Sequence, residues 1–381
     1  MKMVTVIGAG PIGTYLARRT QEMGWQSTIL EEHSNIGKPV NCTGLISSSG
    51  VESSNIRKEV EETLMNKIRG AQIFSPNYEM IEVKRSSTVA YVINRGNFDA
   101  VLAREAEEAG VEIKRNTKMI DIRNETIFVE HKGRGEIHKS KLIVGADGVN
   151  SKTRKLMGFE TNINNYVHAY QAVAKGNFNP NYVQIYFGDY SKGFFAWIVP
   201  ENEEKARVGV ASTTGNIRKN FDLFAKEKNL SGHFSEKCSS LIPIGAPLKN
   251  IVQENVMLAG DSAFQTKATT GGGIILGIES AEKAAQTINE YFKDNKPLTN
   301  YEKNLTETNK ELKLHWKIRQ FLNSKNEEQM DKFFQRLNKA NIGEFLSANG
   351  DMDKPSYFVG KILTKPSLWR MFPEALKFMR T

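Results

Sequence analysis

The stretch from Met3 to Glu31 leaves little freedom to the rest of the chain. Met3-Val4-Thr5-Val6-Ile7 is an uncharged, largely β-branched run, which suits a buried strand. Gly8-Ala9-Gly10-Pro11-Ile12-Gly13 follows at once, then a helical stretch from Thr14 to Met23, then Ser27-Thr28-Ile29-Leu30 ending on Glu31. Strand, glycine turn, helix, strand and acid stand in the order of a βαβ unit. Gly8 permits the tight turn off the strand, Gly10 lets a pyrophosphate approach bare backbone, and Gly13 lets helix and strand pack closely. The helix N-terminus turns free N–H groups and a partial positive charge toward phosphate. Glu31 lies eighteen residues beyond Gly13, where a carboxylate accepts the ribose hydroxyls. The set reads as a dinucleotide site.

Length and composition narrow the class. A chain of 381 residues has room for two or three structural units. No apolar run approaches the roughly 20 residues that span a bilayer. The apolar start is the first strand itself, so no signal peptide is read. Cys42 and Cys238 are the only cysteines, too few for a disulfide framework, and a reducing, cytoplasmic location is expected. The net charge of +9 suits either an anionic partner or a solvated lysine-rich surface. The basic residues near the C-terminus favour lipid, and peripheral contact with the inner face of the cell membrane is expected there. No nucleic-acid motif is present, and neither a nucleic-acid partner nor a metal is expected.

Further along, Glu32 to Gly44 reads as a loop from its Gly, Pro and Asn content. Residues 55–68 read as helical, 71–93 as short strands, and Asn97 to Ala109 as a helix with Phe98, Val101, Leu102 and Ala106 on one face. A small β ribbon runs from Met119 to Glu136. Strand patterns recur over 166–213, a helix lies near Asn220 to Lys228, and a long helix runs from Ile274 to Phe292. The last 85 or so residues look helical, with a break around Asn349 to Pro355. The fold class expected is α/β with α+β insertions. A discontinuous Rossmann-type domain (1–70, 95–165 and 245–295) would carry an antiparallel β-rich substrate domain (71–94 and 166–244). A C-terminal helical region (296–381) would follow.

Two further strand ends identify the cofactor. Gly145-Ala146-Asp147-Gly148 and Gly260-Asp261-Ser262-Ala263 resemble the Asp-Gly and Gly-Asp motifs of FAD-dependent hydroxylase-type flavoproteins. Asp261 suits a ribityl or ribose hydroxyl. The Gly271-Gly272-Gly273 turn aims helix N–H groups at the pyrimidine edge of a flavin, where reduction places negative charge.

With these residues in view, the chain resembles the geranylgeranyl reductase family, especially the archaeal members that saturate isoprenoid chains of membrane lipids. Four stretches carry the resemblance: Glu31 to Cys42, Asn94-Arg95-Gly96-Asn97-Phe98-Asp99, Gly193 to Pro200, and Gly260 to Ile274. The resemblance implies FAD contacts at Ile12, Gly13, Glu31, Cys42, Thr43, Gly44, Arg95, Met119, Asp261, Gly273 and Ile274. Gly8 and Gly10 join them on the turn argument alone. Arg95 suits pyrophosphate; a surface arginine at a helix start is the other reading. The aromatic box departs from the family pattern: Phe195 and Val199 replace its Tyr and Phe, which keeps an apolar wall and removes a phenolic donor. Only Thr43 separates Cys42 from Gly44, one residue fewer than is usual.

The activity implied is FAD-dependent reduction of C=C bonds in geranylgeranyl chains of archaeal-type lipids or isoprenyl diphosphates, with ferredoxin or NAD(P)H as electron donor. Cys42 is the candidate catalytic residue, either donating a proton or packing on the flavin. Phe195 and Trp197, with Phe187, Phe194 and Ile198, are the candidate tunnel wall; the same stripe also suits a plain sheet core. A class A monooxygenase and a flavin-carrying lipid-binding protein remain as alternatives. The apolar, basic stretch from Tyr357 to Thr381 suits either an anionic membrane surface or a closing cap.

Overall fold

The computed structural model describes residues 3–159, 165–230, 232 and 234–363. Strand Met3–Ile7, helix Pro11–Glu22 and strand Gln26–Leu30 form the opening βαβ unit. Gly10 is the N-cap and Pro11 the first helical residue, where a missing N–H costs nothing and φ is already set. Met3–Ile7 pairs in parallel with Gln26–Leu30 and with Leu142–Gly145. The six-stranded sheet extends to Glu112–Lys114 at one edge, and to Val256–Leu258 and then Val252–Gln253 at the other. Every pair is parallel except the last. Parallel pairing puts the turns after Ile7, Gly145 and Leu258 at the same, carboxyl end of the sheet, where open α/β sheets bind ligands. Helix Pro11–Glu22 packs between Arg95–Glu108 and the long helix Ile274–Asp294.

The second body is a seven-stranded sheet in the order Ser235–Pro243, Tyr166–Lys175, Lys205–Ser212, Ala196–Pro200, Tyr182–Tyr186, Gly70–Phe74, Met80–Lys84. Its pairs are antiparallel apart from Gly70–Phe74 with Tyr182–Tyr186. Strand alternation sorts the aromatic box onto two faces. Trp197 and Val199 join Phe194, Phe195 and Val167 in one core. Ala196 and Ile198 join Phe221 and Phe224 of helix Ile217–Glu227 in another.

One local expectation is corrected. Residues 55–68 are not a single helix: Arg57–Glu62 is helical, and Leu64–Ile68 is a strand paired with Ala90–Ile93. Thr63 ends the helix, its hydroxyl donating to the Glu59 carbonyl at 2.7 Å, and the ladder to Ala90–Ile93 outweighs the helical propensity beyond it. Leu45–Ser47 flanks the same strand. The C-terminal region is helical: Asn300–Asn304, Thr306–Asn323, Glu327–Lys339, Ile342–Asn349 and Pro355–Leu363. The break expected near Asn349 to Pro355 falls between the last two. Residues 364–381, most of the basic C-terminal stretch, lie outside the described residues. Among the described residues no helix is long and apolar enough to cross a membrane.

Candidate cofactor and active site

The first glycine turn is shaped by what each glycine faces. Gly8 has φ +101°, and a Cβ there would stand 2.7 Å from the Ala146 carbonyl oxygen of the second motif. A Cβ at Gly13 would stand 2.1 Å from the Gly8 carbonyl oxygen, whereas one at Gly10 would meet nothing within 4 Å. Gly13 is thus the packing glycine, and Gly10 is bare backbone facing open space, the surface a pyrophosphate needs. Ile12 plays a different part. It wedges between motifs, because a Cβ at Gly260 would lie 3.0 Å from its Cγ1 and one at Gly277 2.5 Å from its Cδ1. Two glycines more than 240 residues away in sequence make room for one isoleucine.

Glu31 is buried at the end of its strand. One carboxylate oxygen accepts from the Ala9 N–H at 2.8 Å; the other accepts from the His33 N–H at 2.8 Å and lies 2.7 Å from His33 Nδ1. The carboxylate is therefore fixed beside the glycine turn. Thr117 N–H donates to the Glu31 carbonyl, which brings the ribbon strand Thr117–Arg123 to the same place. Met119 stands on that strand with its side chain in the main core.

Asp261 and Gly273 meet at the third motif. A Cβ at Gly273 would be 2.7 Å from Asp261 Oδ1, and Thr266 Oγ1 donates to the same oxygen at 2.7 Å. Burial pushes the Asp261 carboxyl up, with Thr266, Arg95 and Arg154 working the other way. Gly273 is the N-cap of helix Ile274–Asp294, which has no side-chain cap, so its first N–H groups remain for a ligand. Ile274 is the first helical residue and is buried.

The cysteine loop closes over the start of helix Arg95–Glu108. Gly37 and Gly44 have positive φ, and a Cβ at either would run into the carbonyl oxygen of Gly96 or Ile93. The Gly44 N–H donates to Cys42 Sγ at 3.4 Å. Arg95 binds both oxygens of Asp99 at 2.9 Å. Desolvation works against its charge, but Asp99 and then Cys42 more than offset that, and its pKa is raised. The guanidinium so sits between Asp99 and the Cys42 sulfur, within the field of Asp261.

From the other body, Thr43 Oγ1 donates to Gln171 Oε1 at 3.1 Å. Trp197 stands opposite Gly209, where a Cβ would be 2.2 Å from its Cζ2 and 2.9 Å from Gln171 Cβ. Trp197 is thus one residue removed from Thr43. Phe195 stacks on Phe194 with centroids 4.2 Å apart and stands edge-on to Trp197 at 6.0 Å. The structure therefore gathers Ile12, Gly13, Asp261, Gly273 and Ile274 at the sheet end. Cys42, Thr43, Gly44 and Arg95 lie next to them, and Phe195 and Trp197 lie beyond. Met119 stands apart, on the Glu31 side.

Several participants carry no motif of their own. Arg154 is fully buried and bonds the carbonyls of Val149 (2.8 Å) and Ser262 (3.0 Å) and the Tyr166 hydroxyl (3.0 Å), tying the second motif to the third. Asp147 accepts from Ser151 Oγ and from the Thr153 N–H, so it holds the short helix Lys152–Leu156 rather than facing a ligand. Ser151 as an N-cap is the available sequence signal for that helix. Gln171, Lys267, His315, Arg319 and Asp353 are not readable from sequence as site residues, since each acts through partners distant along the chain.

These residues suit FAD: bare backbone at Gly10 for pyrophosphate, fixed carboxylates at Glu31 and Asp261 for hydroxyls, and an uncapped helix end at Gly273 for the pyrimidine edge. Known proteins agree. The family model of the FAD binding domain matches residues 1–312. Digeranylgeranylglycerophospholipid reductase of Methanosarcina acetivorans is 30% identical over 309 residues, 75% of either chain. The enzyme of that name from Methanocaldococcus jannaschii is 28% identical and covers 98% of both chains. Among solved structures, a geranylgeranyl bacteriochlorophyll reductase-like protein from Thermoplasma acidophilum superposes with a TM-score of 0.85 at 22% identity, covering 100% of this chain and 99% of the other. That last likeness speaks for the fold.

Proposed function

The chain belongs to the digeranylgeranylglycerophospholipid reductase family of FAD-dependent oxidoreductases, and from that premise we propose that it reduces isolated C=C bonds in geranylgeranyl chains of an archaeal-type glycerolipid or an isoprenyl diphosphate. The observation that carries this reading is the meeting of the Cys42–Gly44 loop, through Thr43 and Gln171, with the aromatic face of the seven-stranded sheet. A polyprenyl chain needs an apolar wall. Phe194, Phe195 and Trp197, with the half-buried Phe187, Ile242, Trp316 and Met352 packed on them, make one.

Reduced FAD supplies hydride. The second alkene carbon then needs a proton, because an isolated alkene cannot hold the negative charge. We assign that proton to Cys42. The sulfur left behind would face the Arg95 guanidinium. The aromatic wall orients the chain and excludes water. Ferredoxin or NAD(P)H is the electron donor we infer, and the basic, apolar C-terminal stretch is our candidate for peripheral contact with the lipid surface.

The test uses the FAD-loaded protein, photoreduced under anaerobic conditions so that no donor is required. Addition of digeranylgeranylglycerophospholipid or geranylgeranyl diphosphate should reoxidise the flavin and yield a product heavier by two hydrogens per turnover. Flavin that stays reduced with either substrate, but hydroxylates an added aromatic once oxygen enters, would replace this reading with a monooxygenase. Flavin that does neither would leave a lipid-binding flavoprotein.

A further inference from the structure

Arg319 is one of the side chains by which the C-terminal helices reach the site. Arg319, in helix Thr306–Asn323, is 1% exposed. Its Nε donates to the Ala268 carbonyl at 2.9 Å and one terminal nitrogen to the Thr269 carbonyl at 2.7 Å. The guanidinium carbon lies 4.4 Å above the Phe194 ring and 5.7 Å from Phe195. The other terminal nitrogen has no hydrogen-bond partner among the described residues. No carboxylate among them pairs with it, and desolvation alone pulls its pKa down to about 9. Two other buried arginines face acids, Arg95 with Asp99 and Arg207 with Glu201; Arg154, like Arg319, is held by backbone carbonyls instead.

The segment that Arg319 holds is the one that forms the Thr270–Gly273 turn. The Lys267 N–H donates to the Gly272 carbonyl, and the Thr270 and Gly271 N–H groups donate back to the Lys267 carbonyl. The turn is therefore a closed loop, with Arg319 on its Ala268–Thr269 side. Phe194 lies between Arg319 and Gly271, where a Cβ would be 3.3 Å from its Cζ. The other charged groups around the loop have hydrogen-bond partners. Lys267 pairs with Asp353, which also accepts from Ser47. His315 bonds Thr269 and the Asp353 backbone carbonyl, and its pKa is pulled down to about 4 by desolvation, so it is neutral; Asp351 faces it from the same loop as Asp353. Asp261, on the far side, lies in the field of Arg95 and Arg154. Among the described residues Arg319 has no carboxylate partner, and neither has Arg154 on the Asp261 side; the Asp351 carboxylate is held by the backbone N–H groups of Asp353 and Lys354.

We propose that Arg319 is a positioning residue whose buried charge stabilises the negative charge that FAD acquires on its pyrimidine edge when it is reduced. The proposal rests on the reading that this edge lies at the Thr270–Gly273 turn. Two electrons and one proton, delivered to the ring at N5, leave the N1–C2=O edge anionic. A second proton at N1 would cancel that charge. A nearby unpaired cation opposes the second proton and favours the reduced form over the oxidised one. An unpaired buried charge is costly to the fold, and this role gives it a counter-charge in the working state.

The test reads the midpoint potential of bound FAD by dye-coupled reduction. Arg319→Gln keeps a donor for the loop carbonyls and removes the charge; it should lose at least tenfold in the preference for reduced over oxidised FAD, a potential lower by about 30 mV. Arg319→Lys, which keeps the charge, should fall by less than half as much. The affinity for oxidised FAD should change less than threefold in both. An unchanged potential in Arg319→Gln, or an equal drop in Arg319→Lys, overturns the proposal. The wild type gives a second measurement should the variants not fold. Its potential should fall by about 30 mV per pH unit between pH 6 and 8, one proton per two electrons; about 60 mV per unit over that whole range means a neutral reduced flavin and also overturns it. Hydrogen exchange separates the premise from the proposal. FAD should protect the amides of residues 270–277. No protection there places the flavin elsewhere and removes the premise, while leaving FAD binding and turnover to be judged by their own assays.

Discussion

Ile12 offers a direct test of how the first and third glycine motifs are held together. In Gly277→Ala the new Cβ would stand 2.5 Å from Ile12 Cδ1 and 3.0 Å from Cγ1, both too close. Alanine in place of glycine in a helix interior favours the helix by about 1 kcal/mol. Overpacking of this kind costs ~1–3 kcal/mol, so the single variant should lie between neutral and about 2 kcal/mol less stable. Ile12→Val removes the Cδ1 atom and on its own should cost roughly 0.5–1.5 kcal/mol. In the double variant the alanine methyl occupies the space Cδ1 has left. The costs should then not add, and a favourable coupling of about 1 kcal/mol is expected, inside the range for residues in contact. Urea midpoints at a fixed excess of FAD provide the four stabilities, with FAD held constant because ligand binding shifts them. FAD affinity should follow the same order, since a displaced Ile12 pushes on Gly260 beside Asp261. Additivity within roughly 0.3–0.5 kcal/mol, or a Gly277→Ala protein stabilised by the whole helix increment, would show that Ile12 is no wedge.

Three further outcomes are expected. Glu31→Ala strips the acceptor from the buried Ala9 N–H as well as from any ribose; it should weaken FAD binding at least tenfold in equilibrium titration and cost ~1–3 kcal/mol of stability, with Glu31→Gln milder on both counts. His315 titrates near 6.5 when unfolded and about 4 when folded, so the unfolded chain binds the extra proton; stability is intact above pH 6.5 and declines toward pH 4, by about 3 kcal/mol in full. His315→Gln should show a flatter urea-midpoint profile over that window, and a slope equal to wild type would refute the assignment. Cys42→Ala and Cys42→Ser should retain FAD yet slow single-turnover alkene reduction tenfold or more, about 1.4 kcal/mol; wild-type rates in Cys42→Ala would remove Cys42 from the proton transfer.

What is legible in the sequence is whatever a short stretch decides for itself. Gly8 to Gly13 must turn, approach and pack, and those demands are met within six residues, so the turn and its helix can be read before any contact is known. The same holds for Gly260-Asp261, for the Thr-Gly-Gly-Gly turn, and for the break before Pro355. Leu64–Ile68 reads wrongly as helix because its strand character comes from Ala90–Ile93, more than twenty residues on. The candidate site divides along the same line. Glu31, Cys42, Arg95 and Asp261 stand in recognisable local settings. Gln171 becomes visible only through Thr43, 128 residues away, and Asp353 only through Ser47 and Lys267, 306 and 86 residues away.

The C-terminal region carries the point furthest. It holds no motif, and on a helical wheel Arg319 is one more basic residue on an amphipathic helix, indistinguishable from an exposed one. Folding places it against the Phe194 ring and on the carbonyls of Ala268 and Thr269, while His315, one turn earlier, reaches Thr269 and the backbone of Asp353. Side chains four apart on one helix thus hold the Ala268–Thr269 side of the loop that leads to Gly273. A glycine turn is permissive by composition, and three consecutive glycines have many conformations to lose. The rigidity that a cofactor edge requires has to come from outside the turn, and here it comes from a helix the motifs do not announce. Those helices lack a motif because they act by burial and by charge, on a loop that the rest of the chain has already brought to the carboxyl end of the sheet.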